Sequence, residues 1–155
     1  MSQSTFLYLD GNRWGLKDII NIIKNKIVKN EKCKELNLKY KNPDFYTIEF
    51  YYKNIKIFGY IHVKVDTPLG KLMLLDFCYS KKSIEIMKII AETIGGLLQP
   101  NDCEENNMEF IYGKLNEEDG LSYFLKYAVI CNNNNGNDIN NLKESIDIWK
   151  KTYEK

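Results

Sequence analysis

The chain has no excess of either charge sign. Its 155 residues carry 22 Lys and Arg against 21 Asp and Glu. A strongly steered nucleic-acid binder usually shows a basic excess, so this balance argues against that class. No apolar run approaches the roughly 18 residues that a membrane-spanning helix needs. The opening Met1-Ser2-Gln3-Ser4 carries no positive segment, and no apolar stretch follows it as in a secretory leader. The cysteines Cys33, Cys78, Cys103 and Cys131 lie far apart and form no Cys-x-x-Cys pair. His62 is the only histidine. Structural zinc is therefore not expected, and no cofactor suggests itself. Free thiols in a cytoplasm are the simplest reading of those cysteines. Internal repeats and inter-domain linkers are also lacking, so 1–155 reads as one domain with room for a real core.

Lys, Ile and Asn dominate instead, a bias that suggests an AT-rich genome and says nothing of function. The stretch that organises the chain is 73–102. An apolar strand over 73–79 reads as central. It leads through Ser80 into a helix over 84–98 that stops at Gly95-Gly96. Ile84, Met87, Ala91, Ile94 and Leu98 fall on one helical stripe, widened by Ile86, Ile89 and Ile90. That width fits a helix buried on several sides.

A short strand is expected over 5–9, ended by Asp10-Gly11-Asn12. Leu16, Ile19, Ile20, Ile23 and Ile27 then repeat at helical spacing, with Trp14 packing at the start and the end falling somewhere between Asn30 and Leu38. After Asn42-Pro43-Asp44 come three strands. Aromatic and β-branched residues mark 45–52, and the two-residue link Lys53-Asn54 predicts a hairpin. In 55–65, Ile55, Ile57, Gly59, Ile61, Val63 and Val65 alternate with Lys56, Phe58, Tyr60, His62 and Lys64. The third strand runs over 71–79, with Leu72 and Leu74 expected beside Ile57, Ile61 and Val63 against the helices. A strand over 108–112, a helix over 121–131 whose end from Tyr127 to Cys131 could instead be a strand, and a last helix capped by Asp138 complete the order β-α-β-β-β-α-β-α-α. This is an α+β domain with a mostly antiparallel sheet.

Few residues mark out chemistry. His62 can be a general base or a pH switch; its plainer role is a half-buried sheet residue between Tyr60 and Lys64. Cys78 precedes a helix N-terminus that would lower its pKa, but alternation sets it with Leu72 and Leu74 as a small core residue. Asp102, Glu104 and Glu105, with Asp10, could hold a hard cation, yet their spacing is not that of an EF-hand and a solvated acidic loop is the simpler account. Gly95-Gly96 follows a helix, whereas phosphate cradles precede one, so its expected role is the left-handed helix stop. The best binding candidate is the strand face Lys56, Phe58, Tyr60, His62 and Lys64. Neighbouring strands add Phe45, Glu49 and Tyr51 in one register, or Tyr46 and Tyr52 in the other. Such a face can stack bases or meet a protein, or it can be second-side core under the last helices.

Two stretches resemble known families. Helix, three strands and a helix opening at Ser80-Lys81-Lys82 resemble a double-stranded-RNA-binding domain. Ile84-Glu85-Ile86 departs from that family's Ala-rich helix, and the Gly-rich approach is missing. Gly95-Gly96-Leu97-Leu98-Gln99-Pro100-Asn101-Asp102-Cys103-Glu104 resembles stretches of small cytoplasmic immunity proteins that neutralise bacterial toxins. That resemblance implies a single-domain α+β inhibitor in a bacterial host, with no catalysis of its own.

The resulting expectation is a cytoplasmic, non-enzymatic inhibitor of the toxin-immunity or phage anti-defence type, which occludes a partner's active site. Acidic loops holding Asp102, Glu104, Glu105, Glu117, Glu118 and Asp119 would suit a basic nuclease. Phe58, Tyr60 and His62 are the remaining contact candidates. The alternative is a nucleic-acid or nucleotide-binding module that uses the aromatic face, and a third reading is a small enzyme acting through Cys78 or His62.

Overall fold

A computed structural model describes residues 3–28, 36–42, 45–67, 70–101, 109–116 and 118–119. The helices expected over 121–131 and after Asp138 lie outside the described residues.

Among the described residues, seven strands form one sheet in the order β2-β3-β4-β5-β1-β6-β7. Every pairing is antiparallel. β1 (Ser4–Asp10) ends as expected at a turn, where Asp10 Oδ1 accepts from the Asn12 N–H at 2.9 Å. α1 (Leu16–Ile22) opens at Gly15, whose N–H donates to Asp18 Oδ2 at 2.7 Å. The chain then widens into a π-helical segment, Ile23–Ile27. The Val28 N–H reaches Ile23 O at 2.9 Å, and Ile23, Ile27 and Val28 are all buried.

β2 (Leu36–Asn42) is a strand where only the vague tail of a helix was expected. β3 (Phe45–Tyr52) and β4 (Ile55–Thr67) form the predicted hairpin. Both turn residues take positive φ, 49° at Lys53 and 65° at Asn54, as a tight hairpin turn requires. β5 (Gly70–Cys78) returns to the sheet centre as predicted.

α2 (Lys81–Ile94) starts earlier than its apolar stripe, because Ser80 caps it: Ser80 Oγ accepts from the Ser83 N–H at 3.0 Å. Its end corrects the expectation of a helix reaching Leu98. Gly95 stops the helix with φ 91° and ψ 152°, outside the left-handed helical region, and Gly96–Gln99 is strand β6. All four β6 residues are buried, so Leu98 joins the core from a strand and not from the helical stripe. β7 (Glu109–Ile111) pairs at the far edge. β5 and β6 both run antiparallel to β1, which lies between them, so β5-α2-β6 is a split β-α-β unit. No helix among the described residues is long and apolar enough to cross a membrane.

The main core lies between the helices and one sheet face. Leu7, Leu9, Ile48, Phe50, Ile57, Ile61, Met73, Leu75 and Phe77 meet Ile19, Ile23, Ile86, Met87, Ile90 and Ala91 there. Leu72 and Leu74 do not face the helices, contrary to the expected pattern. Ile61 pairs with Leu75 and Gly59 with Phe77, so alternation turns Leu72 and Leu74 to the other face. There they join Tyr8, Leu97, Phe110 and Leu115 in a second, smaller cluster. Cys78 is likewise no core residue; it is exposed at the end of β5.

Candidate functional site

β2, β3 and β4 place their outward side chains on the sheet face away from the helices. Period-two geometry does this from sequence alone once register is set. Phe45 pairs with His62, Thr47 with Tyr60, Glu49 with Phe58 and Tyr51 with Lys56. On the other side of β3, Asn37 pairs with Glu49 and Lys39 with Thr47. The face therefore takes the Phe45, Glu49 and Tyr51 register. Tyr52 points the other way into the core, where its hydroxyl donates to Glu85 Oε1 at 2.6 Å.

Rings run in series across this face. Phe45 stacks on His62 at 5.3 Å with planes 13° apart, and on Tyr60 at 5.3 Å with planes 29° apart. Tyr60 then meets Phe58 edge to face at 5.3 Å. His62 is half-buried in this row, which fits the plain sheet role expected for it. Phe58 and Tyr51 each keep 38% of their surface exposed.

Charge is divided unevenly over the same face. Glu49 and Lys56 form an ion pair at 2.8 Å. The hydrogen bond from Lys56 holds the Glu49 carboxyl below the usual carboxylate range and pushes the Lys56 ammonium up. Lys39 and Lys41 are in no ion pair among the described residues. With Asn37, Thr47, Glu49 and Phe58 they line an open depression of about 210 Å³.

The acidic candidates do not come together in the described residues. Asp102, Glu104, Glu105 and Glu117 lie outside them. Glu118 is exposed. Asp119 is engaged locally: its Oδ2 accepts from the Asn116 N–H at 3.0 Å, while its own N–H donates to Asn116 Oδ1 at 2.9 Å. Arg13 Nη1 stands 3.9 Å from the same carboxylate. Among the described residues, no group of three His, Cys, Asp or Glu is placed to hold a metal ion.

Protein-family models, curated proteins and solved structures yield no match to this chain.

The site thus keeps Phe58, Tyr60 and His62 together with Phe45, Glu49 and Tyr51 of the expected register, and adds Asn37, Lys39, Lys41 and Thr47. The β2 residues were not singled out from sequence, although their signal was present. Leu36, Leu38 and Tyr40 alternate there with Asn37, Lys39 and Lys41.

Proposed function

We propose that the chain is a non-enzymatic binding protein of the toxin-immunity or phage anti-defence type. It acts by laying the outer face of β2–β4 over a functional surface of a partner protein. The observation that supports this reading is the row Phe58, Tyr60, Phe45, His62 flanked by charges of both signs. Tyrosine and phenylalanine are enriched at protein interfaces, where edges and faces of rings are equally useful. A nucleic-acid platform needs ring faces free for bases. Phe45 already stacks on two neighbours, which leaves Phe58 as the most open ring of that row.

The alternative, a nucleic-acid or nucleotide-binding module, draws support from one feature: Lys39 and Lys41 flank that open ring at the depression. One experiment separates the two. The chain is co-expressed with the product of its neighbouring gene, and complex formation is measured for the wild type and for Phe58→Ala with Tyr60→Ala. The protein-binding reading expects each truncation to cost roughly 1–2 kcal/mol of affinity, as buried interface aromatics do. Single- and double-stranded RNA are titrated in parallel. Tight, salt-sensitive RNA binding that the same double substitution weakens, with no effect on any protein complex, would replace the first reading by the second.

A further inference from the structure

β2 is the outermost strand on its side of the sheet, and among the described residues no strand lies beyond it. An edge strand turns alternate N–H and C=O groups outward, unpaired and ready to receive another strand. Asn37, Lys39, Tyr40 and Lys41 are exposed along it, Tyr40 by 58%. The two faces of the strand differ in chemistry. Asn37 and Lys39 lie on the outer face, and Lys41, at the register shift between Tyr40 and Asn42, lines the same depression. On the helix side, Leu36 and Leu38 pack on the main core, and Tyr40 meets Tyr46 edge to face at 5.3 Å.

We infer that β2 is a docking edge for an extended segment of a partner protein in which acidic and apolar residues alternate. The inference rests on the protein-binding reading above and names the partner's chemistry. A strand added outside β2 sets its side chains opposite those of β2, with Cβ atoms about 4.5–5.5 Å apart. Acidic residues would then face Lys39 and Lys41, whose charge no described carboxylate neutralises by an ion pair. Glu49, the carboxylate that lines the same depression, is ion-paired with Lys56. Apolar residues of the same segment would lie beside Leu38 and Tyr40. Main-chain hydrogen bonds supply affinity in this mode, and the alternate side chains supply selectivity. A second copy of this chain is a poor occupant. Pairing β2 with β2 would bring lysine-bearing faces together, and like charges across strands destabilise.

The full chain tests this with three fluorescent probes: an eight-residue peptide alternating Glu and Val, its Lys-Val counterpart, and a twelve-residue oligo(dT). The Glu-Val peptide should bind at least about tenfold more tightly than the Lys-Val peptide. Lys39→Glu with Lys41→Glu should invert that preference. Amide exchange should slow at 36–42 when the Glu-Val peptide is bound. Should the double reversal unfold the chain, Lys39→Gln with Lys41→Gln takes its place and should remove the preference. Failure of the Glu-Val peptide to bind, or binding that leaves the β2 amides unprotected, overturns the inference. So does tighter binding of oligo(dT) than of the peptide, which would make the lysines a polyanion site. Self-association that protects the same amides would assign the edge to a second copy and overturn it too. The two proposals fail separately. Loss of the partner complex in Phe58→Ala without any peptide binding removes the edge and keeps the face. Peptide binding at β2 with a partner complex indifferent to Phe58 and Tyr60 does the reverse.

Discussion

Ile61 has no exposed surface and pairs with Leu75 in the middle of the sheet, under the helices. Ile61→Ala removes buried methylenes and leaves a cavity that close packing cannot fully collapse. It should destabilise the chain by roughly 2–5 kcal/mol on chemical denaturation. A loss below about 1 kcal/mol would show that this residue does not carry the core as placed. Ile61 was legible in the sequence because its strand alternates cleanly between apolar and polar residues. Leu72 and Leu74 were not, for a physical reason. Leu72, Met73, Leu74 and Leu75 are apolar on both faces, so period two cannot say which pair meets the helices. Only the pairing of β4 with β5 decides it. Cys78 fell with them, since its predicted burial was inherited from the same alternation.

At the scale of elements, the β3–β4 hairpin is tied to the start of α2 through one carboxylate. Tyr52 Oη and Lys53 Nζ both donate to Glu85 Oε1 at 2.6 Å, and Lys82 Nζ lies 3.9 Å from Glu85 Oε2. The hydrogen bonds from Lys53 and Tyr52 hold the Glu85 carboxyl below its ordinary value of 4.5. Burial, and then the bond to Glu85, raise the Tyr52 hydroxyl above its usual range. A carboxyl depressed by folding contributes stability above its unfolded pKa and loses it as pH falls through the folded one. The tie should therefore loosen below about pH 4.5, and Glu85→Gln should flatten that part of the stability profile. Equal acid sensitivity in wild type and variant, measured by denaturation across pH 3 to 6, would show that the tie carries no linkage. Most elements could be read beforehand, the hairpin most clearly, because a two-residue link leaves little choice. β6 could not. Gly95-Gly96-Leu97-Leu98 follows an apolar helix without a polar break, and nothing local says that a buried four-residue strand begins there. β2 was hidden by length: its alternation spans few residues and follows a polar stretch that reads equally well as a fraying helix end.

Over the whole molecule, near-zero net charge conceals a local division, with lysines on β2 that are in no ion pair among the described residues and acidic residues clustered after α2 in sequence. The candidate face was half legible for that reason. Composition gave the aromatics, while the lysines that distinguish one end of the face needed the strand order. The topology also bears on how the chain acquires its shape. β1 precedes the other described elements in sequence, yet it occupies the slot between β5 and β6, and the Tyr8 hydroxyl meets Gln99 across 91 residues of sequence. Contacts between distant parts of a chain are slow to form, because the loop entropy is lost before the contact repays it. The meander from β2 to β5 closes over short turns and should nucleate first, with β1 threading beside β5 and β6 sealing the gap afterwards. Leu98→Ala should then quicken unfolding and leave the refolding rate nearly unchanged in a denaturant chevron, whereas Ile61→Ala should slow refolding. A growing chain would meanwhile carry Leu7 and Leu9 uncovered until the α2–β6 segment left the ribosome, a period in which a holding chaperone would find an apolar strand to bind.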